Sequence, residues 1–122
     1  MSYQQVICTM ATAADRLQGT VDVLILKTLA WRPMHGYAIA QFVAERSGGD
    51  LAVEGAALYQ GLHRLERKQL IRSRWGTSET GRRVRIYALT AEGRAQLAEE
   101  AHSWKRYAAA VARILAVRDG HA

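Results

Sequence analysis

The sequence of 122 residues has a single cysteine, Cys8, and therefore no pair that could form an intramolecular disulfide. A chain without a disulfide framework is typical of intracellular proteins, and we expect a cytoplasmic location. The apolar runs 21–31 and 108–117 are interrupted by charged residues and are shorter than the roughly 18 residues of a membrane span. The N-terminus lacks a basic segment followed by an apolar one, so we expect no secretory signal.

Residue patterns for catalysis and for cofactor binding are also lacking. The four histidines and Cys8 do not have the spacing of metal ligands, so we expect no metal site. The segment 76–81 has the glycine spacing of a phosphate-binding loop, but Arg82 and Arg83 follow it where that motif has Lys and Ser or Thr. No nucleophile has a local base and an orienting acid. The sequence therefore predicts a protein that is not an enzyme and holds no cofactor.

Positive charge is concentrated in the segment 63–85, which contains few acidic residues. The segment has a net charge of +6, the same as the whole chain, because only Glu66 and Glu79 oppose eight basic residues: Arg64, Arg67, Lys68, Arg72, Arg74, Arg82, Arg83 and Arg85. Each Lys or Arg set against a phosphate releases condensed counterions, so such a surface attracts polyanions. The segment therefore predicts a nucleic-acid-binding surface.

Three helices are predicted in the first half of the chain. Apolar side chains recur at helical spacing over about residues 17–32 and 36–47, and a proline separates the two segments. A third helix over about residues 55–68 carries a buried stripe at Leu58, Leu62 and Leu65. Leu51 and Val53 alternate across Ala52, which predicts a short strand at most. Residues 1–16 show no periodicity and are expected to form an N-terminal arm.

A β-hairpin is predicted after the third helix. Residues 70–75 and 82–89 contain β-branched and aromatic side chains and are joined by a polar loop that glycines bound. Strand side chains alternate, so one face of the second strand can pack while the other carries charge. The first face would carry Val84, Ile86 and Ala88, and the second Arg83, Arg85 and Tyr87.

A long helix is predicted at the end of the chain. Thr90 is the expected N-cap, and the helix continues to about residue 117. Its apolar positions are alternately four and three residues apart, at Leu97, Ala101, Trp104, Ala108, Val111 and Leu115. This spacing is that of a heptad seam, so we expect the helix to pack along a second helix from a symmetry mate.

The order of these elements predicts an α+β fold, mainly α with a small β-hairpin. We expect a winged helix-turn-helix DNA-binding domain over residues 17–90 and a dimerisation helix over residues 91–117. Several motifs occur in order along the chain: Leu17-Gln18-Gly19-Thr20, Met34-His35-Gly36-Tyr37, Leu58-Tyr59, Leu62-His63-Arg64-Leu65-Glu66, Arg82-Arg83, Ile86-Tyr87-Ala88-Leu89-Thr90 and Glu92-Gly93-Arg94. Together they resemble the PadR-like family of bacterial transcriptional regulators, in its short branch with a single C-terminal dimerisation helix.

Three positions depart from the pattern of that family. Ala57 precedes the Leu58-Tyr59 pair where the family usually has Ser, and Gln60 follows the pair in place of Pro. Gln69 stands after the third helix where Gly is usual. These differences leave the expected fold unchanged, but the first two lie on the face predicted to read bases.

The resemblance and the basic segment together imply that the third helix enters the major groove of DNA. Gln60 can make two hydrogen bonds to adenine, and Ala56 or Ala57 can touch a thymine methyl group. Arg64 and Arg67 are expected to hold phosphates, which position the protein without specifying sequence. The full set of predicted DNA-binding residues is His35, Tyr37, Ala56, Ala57, Tyr59, Gln60, His63, Arg64, Arg67, Thr77, Ser78, Arg82, Arg83 and Arg85.

Trp104 has only Ala101 and Ala108 as its neighbours along the seam. Its indole can fill the core of a dimer, or it can leave a slot in which a flat apolar ligand stacks, with Tyr107 nearby. Core filling is the more common arrangement. The resemblance leaves the second alternative open, because some PadR-like regulators take aromatic effectors at their dimer interface near a tryptophan.

The predicted function is that of a homodimeric transcriptional repressor that binds an inverted-repeat operator and that a small aromatic effector could release. Two alternatives remain open from the sequence. A nucleic-acid-binding module without sequence preference would need the same arginines. A protein-interaction adaptor could use the same winged fold without DNA. The first two readings need double-stranded DNA or another nucleic acid as partner, and none of the three needs a membrane.

Overall fold

The computed structural model describes residues 13–120, with side chains placed from residue 19 onwards. Its elements, in chain order, are α1 (Ala13–Trp31), β1 (Met34–His35), α2 (Gly36–Arg46), α3 (Gly55–Arg67), β2 (Ile71–Thr77), β3 (Arg83–Leu89) and α4 (Ala91–Leu115). Of the N-terminal arm expected over residues 1–16, residues 1–12 lie outside the described residues. Residues 13–16 belong to α1. Among the described residues, no helix is both long and apolar enough to cross a bilayer.

The three strands form one antiparallel sheet in the order β1-β3-β2. The hairpin of β2 and β3 is paired from Ile71 opposite Leu89 to Thr77 opposite Arg83, and we call it the wing. Strand β1 pairs with the other edge of β3, where Met34 lies opposite Tyr87. The sequence did not predict β1, because two residues are too few to show alternation. The prediction of a short strand at 51–53 is wrong, since this segment has no regular structure.

The core lies between α1, α2, α3 and the base of the sheet. The predicted stripe of α3 is confirmed, because Leu58, Leu62 and Leu65 are all buried. Helix α1 contributes Ile25 and Leu26 to the same cluster, and the sheet contributes Ile71. The first three helices and the wing thus share one apolar core, which fixes the position of α3 relative to the wing.

The two faces of β3 differ from the prediction. Tyr87 is only 8% exposed and belongs to the core, although it lies on the face predicted to carry charge. Val84, Ile86 and Ala88 are half-buried. The alternation itself is present, but the face that carries Arg83 and Arg85 towards the tip of the wing becomes buried at Tyr87, closer to its base.

Helix α4 begins at the predicted cap and packs along α1. The Thr90 hydroxyl oxygen accepts a hydrogen bond from the backbone N–H of Gly93 at 2.9 Å. The same hydroxyl donates to the carbonyl oxygens of Gln69 and Leu70. Gly93 is buried, and a Cβ at this position would collide with the Leu70 carbonyl oxygen. The start of α4 is therefore fastened to the chain between α3 and β2.

Helix α3 ends in a Schellman motif. The N–H of Gln69 bonds to the carbonyl oxygen of Glu66 at 2.9 Å, and the N–H of Leu70 bonds to that of Leu65 at 3.0 Å. Gln69 has a φ of 62°, in the left-handed region that favours glycine. The motif gives a physical reason for the glycine that the family resemblance led us to expect at this position.

Candidate nucleic-acid interface

The face of α3 opposite the buried stripe is open to solvent. Ala56, Gln60, His63 and Arg67 are all exposed along it. Together with Arg64 they line a shallow groove of about 620 Å³. The structure thus brings together most of the residues predicted on the third helix. Ala57 is also exposed, but it does not line this groove.

Arg64 lies at the flank of this face and turns towards α1. Its Nη2 and Nε atoms donate to the two carboxylate oxygens of Asp22, at 2.5 and 3.3 Å. The side chains of Arg64 and Asp22 are 16% and 10% exposed. An arginine held in this way uses part of its donor edge inside the protein. No sequence pattern indicates the role of Asp22, because the two residues are 42 positions apart.

Tyr59 and the start of α2 form one wall beside the open face of α3. The hydroxyl end of Tyr59 packs against Gly36, where a Cβ would lie 3.4 Å from the phenol oxygen. His35 is the N-cap of α2, and its Nδ1 accepts a hydrogen bond from the N–H of Ala38 at 3.2 Å. The exposed ring of Tyr37 stacks on the His35 ring. His35 therefore shapes the start of α2, while Tyr37 and Tyr59 face solvent.

Arg85, on the other flank of α3, belongs to a polar network between α3 and the wing. Its Nη2 donates to Ser73 Oγ at 2.5 Å and lies 3.5 Å from Glu66 Oε2. Ser73 Oγ donates to the same Glu66 oxygen at 2.6 Å. Beneath this network, burial raises the pKa of the Tyr87 hydroxyl above its usual value. The network ties α3 to both strands of the wing.

Trp75 is a feature of the wing that the sequence analysis missed. Its indole is 54% exposed, although tryptophan side chains are highly buried on average. The Arg83 guanidinium carbon lies 4.4 Å from the ring centroid, and that of Arg85 lies 5.4 Å from it. Trp75 is directly opposite Arg85 in the sheet register. Alternation along β3 places Arg83 and Arg85 on one face, and the register of the wing adds Trp75 to it.

The tip of the wing is organised by Ser78. Its backbone N–H donates to the Arg82 carbonyl oxygen at 2.8 Å, and its hydroxyl oxygen accepts from the Arg82 N–H at 3.1 Å. Gly81 completes the turn with a φ of 83°. Thr77 and Arg82 are exposed on either side of this turn. The predicted tip residues are therefore close together, with the Ser78 hydroxyl engaged in the turn.

An open cleft of about 900 Å³ separates the wing from the start of α2. Trp75, Arg83 and Arg85 line its wing side, and Tyr37 and Tyr59 line the opposite side. The cleft therefore combines guanidinium groups with exposed aromatic rings. Such a combination is typical of surfaces that bind nucleic acids.

The predicted seam of α4 falls into two environments. Leu97 is 8% exposed and lies in the core of its own chain, and Ala101 packs against that core. Farther along, Trp104, Tyr107, Val111 and Leu115 are exposed. The Trp104 indole N–H donates to Thr20 Oγ1 of α1 at 3.2 Å. Within one chain the second half of α4 thus presents an apolar stripe that includes the two residues predicted to bind an effector.

Solved structures of transcriptional regulators share this architecture. A PadR family transcription regulator from Clostridium difficile is similar with 31% identity and a TM-score of 0.66, over 78% of this chain and 97% of that one. A PadR family transcriptional regulator from Eggerthella lenta is similar with 26% identity and a TM-score of 0.68, over 95% of this chain and 97% of that one. The similarity thus extends over the winged domain and much of α4.

Sequence comparisons agree with the structural ones. An uncharacterized protein of Lysinibacillus sphaericus is 30% identical over 91 residues, which are 75% of this chain and 84% of that protein. An uncharacterized 37.1 kDa protein in a transposon of Streptomyces fradiae is 44% identical over 85 residues, 70% of this chain and 23% of that protein. The model of the PadR-like transcriptional regulator family matches residues 25–99. This chain belongs to the PadR-like family of transcriptional regulators.

Proposed function

We propose that this regulator is a homodimeric, sequence-specific DNA-binding repressor that acts in the cytoplasm on an inverted-repeat operator. The observation that carries the proposal is the continuous surface formed by the open face of α3 and the arginine-bearing wing. A helix of this kind fits the major groove, and the arginines beside it suit the flanking phosphates. Occupation of the operator would prevent polymerase from using an overlapping promoter.

Base reading in this proposal belongs to the N-terminal half of α3. Gln60 is exposed and reaches an adenine edge, and Ala56 and Ala57 are small enough to touch a thymine methyl group. His63 and Arg67 lie farther along the same face and bind phosphate or sugar. Arg64 contributes at the edge of the groove, with Asp22 fixing its orientation.

The walls of the surface hold the DNA backbone in this proposal. His35 orients the start of α2, and Tyr37 and Tyr59 present hydroxyl groups from that side. The opposite side is the wing, whose predicted contacts are Thr77, Ser78, Arg82, Arg83 and Arg85. Arg85 already contacts Glu66 and Ser73 through its guanidinium group, so Arg82 and Arg83 are the stronger candidates for phosphate contacts.

The exposed second half of α4 is the proposed dimer surface. A stripe of Trp104, Ala108, Val111 and Leu115 would pack against the same stripe of a two-fold mate. Leu97 and Ala101 would support that helix from within their own chain. Such a dimer presents two α3 helices to successive major grooves, about 34 Å apart along the duplex.

An effector site at Trp104 and Tyr107 is a further part of the proposal. Because the Trp104 N–H already donates to Thr20, only the faces of the indole ring are available to a ligand. A flat aromatic molecule could stack there between the two copies of α4. Tryptophan fluorescence that does not respond to planar aromatic compounds, after Trp31 and Trp75 are replaced, would argue against such a site.

The test is fluorescence anisotropy with DNA from the gene's own upstream region and with a shuffled duplex, over a series of salt concentrations. We expect a preference of roughly a thousandfold or more for the upstream DNA, and weaker binding of both duplexes as salt rises. Equal affinity for the two would leave two explanations, a target elsewhere or the non-specific module. No binding at low salt would favour the adaptor, which charge reversal at Arg82, Arg83 and Arg85 should then leave intact.

Two substitutions on α3 separate base reading from phosphate binding. Gln60→Ala should lower the preference for the operator about tenfold or more, because a bidentate contact to adenine contributes about 1–3 kcal/mol of discrimination. Arg67→Ala should weaken binding to both duplexes by the same factor and make the salt dependence shallower. If Gln60→Ala behaves like Arg67→Ala, then Gln60 does not read a base.

A further inference from the structure

Two arginines of the wing rest on the same exposed tryptophan. Arg83 lies closest, with its guanidinium carbon 4.4 Å from the centroid of the Trp75 ring. The indole and both guanidinium groups line the cleft between the wing and the start of α2. Trp75 lies directly opposite Arg85, two residues before β2 ends at Thr77. Its ring therefore serves as a platform for arginine side chains inside the cleft.

Stacking on a ring leaves the hydrogen-bond donors of an arginine available. The attraction of a guanidinium to an indole acts through the faces of the two planes. All five N–H donors point outward from the edge of the guanidinium plane. Arg83 is thus held in orientation while its donor edge remains open to a phosphate, which arginine binds through two parallel hydrogen bonds.

The three arginines of β3 and its preceding turn differ in how they are held. Arg85 is fixed by Ser73 and Glu66 as well as by the ring, so part of its donor edge is already used. Arg82 is exposed, and no aromatic ring of the described residues lies beneath its guanidinium. Arg83 alone combines a fixed orientation with a donor edge that no carboxylate of the described residues engages.

We propose that Trp75 is a positioning residue for DNA binding, which holds the Arg83 guanidinium ready for a phosphodiester group of the strand that enters the cleft. The inference rests on the proposed function. An unstacked arginine loses rotamer freedom when it binds, and the ring removes much of that loss in advance. The partner is defined by its charge and spacing and not by its bases, so the contribution is independent of sequence.

The experiment measures affinity and salt dependence for Trp75→Ala and Arg83→Ala, with the operator and a shuffled duplex. Arg83→Ala removes a charge, so the slope of log K against log salt should become shallower by about 0.9 per wing. Trp75→Ala leaves the charge in place. Its affinity should fall about fivefold per wing for both duplexes, at an unchanged slope. A wing that merely unfolded would lose slope as well as affinity.

Three further variants complete the design. In the Arg83→Ala background, Trp75→Ala should lose most of its effect, because the side chain that it positions is gone. In the Arg82→Ala background, which matches the loss of charge, Trp75→Ala should keep its full effect. Trp75→Phe should restore most of the affinity, since a phenyl ring also stacks on a guanidinium.

Several results would overturn the inference. Additive effects of Trp75→Ala and Arg83→Ala would show that the two side chains act independently. A loss confined to the operator would mean that the ring reads a base. If Trp75→Ala does not fold, a protein with Trp75 as its only tryptophan, made by Trp31→Phe and Trp104→Phe, provides the test. Its fluorescence should change on binding either duplex, and an unchanged signal in a saturated complex would contradict the placement of DNA in the cleft.

If the unmodified protein binds neither duplex, the proposed function itself fails. Binding of the unmodified protein is therefore measured before any variant is made. Binding without sequence preference would remove the operator from the proposal but leave the Trp75 test intact, because both duplexes report on phosphate contacts. The two hypotheses can therefore fail separately.

Discussion

Gly93 lies in the first turn of α4, where a longer side chain has no room. Gly93→Ala would drive a methyl group into the Leu70 carbonyl oxygen, so we expect a loss of about 3 kcal/mol in the free energy of unfolding. The measurement is the urea midpoint followed by circular dichroism. Gly19→Ala is the matched control, because Gly19 is exposed within α1 and a Cβ there meets no atom within 4 Å. The control should gain about 0.5–1 kcal/mol.

Gln69 adopts the left-handed conformation at the end of α3 without being a glycine. Gln69→Gly should therefore raise the free energy of unfolding by about 1 kcal/mol, since a residue with a Cβ is strained there. Gln41→Gly, in the exposed interior of α2, should instead lower stability by about 1 kcal/mol. DNA affinity should be unchanged in Gln69→Gly, because Gln69 lines neither the groove beside α3 nor the cleft. A destabilised Gln69→Gly protein would mean that the glutamine side chain makes a compensating contact.

Some of these details could be predicted from the sequence and others could not. The Thr90 cap and the Leu58 stripe follow from local spacing, because both depend on residues within one or two helical turns. The contact between Trp75 and Arg83 could not be predicted without the register of the wing, which pairs two separate segments of the chain. The ion pair of Asp22 and Arg64 could not be predicted, because it depends on how α1 packs on α3. The periodicity within either helix does not indicate which polar residues of the two helices meet.

Helix α1 holds α3 through a partly buried ion pair as well as through apolar contacts. Asp22→Asn leaves the Arg64 guanidinium without its charged partner, so we expect α3 to pack less firmly and the free energy of unfolding to fall by about 3 kcal/mol. Thermal unfolding measures this loss. Asp50→Asn, at an exposed position in the loop before α3, should have almost no effect.

A double variant shows whether the charge itself is responsible. Asp22→Leu with Arg64→Met replaces the pair by apolar side chains, and it should regain most of the stability that Asp22→Asn loses. If the double variant is as unstable as Asp22→Asn, then the loss comes from the shape of the contact and not from an unpaired arginine.

The strands were harder to predict than the helices. Each helix repeats its apolar spacing over several turns, so the elements α1 to α4 were all recognisable from the sequence. Strand β1 has two residues, and only its pairing with β3 makes it a strand. The burial of Tyr87 depends on the elements that pack around the sheet, which alternation along β3 alone does not reveal.

The assembly of two chains is expected to depend on the second half of α4. Val111→Glu with Leu115→Glu would place charges on the exposed stripe, so the protein should sediment as a monomer and remain folded, because neither residue lies in the core. Operator affinity should fall by at least a hundredfold, since the two half-sites are no longer linked. Ala109→Glu, on the opposite side of the helix, should leave the dimer intact. Intact dimers of the double variant would exclude this stripe as the interface.

The division of α4 between two environments affects how the proposed dimer responds to protein concentration. Leu97 completes the core of a single chain, whereas the stripe from Trp104 to Leu115 is exposed and is the proposed dimer surface. In the proposed dimer, folding of each chain is therefore independent of protein concentration, whereas pairing depends on it. At concentrations below the dissociation constant of the dimer, the amount of paired regulator rises with the square of the total protein. A modest change in synthesis would consequently produce a sharper change in operator occupancy.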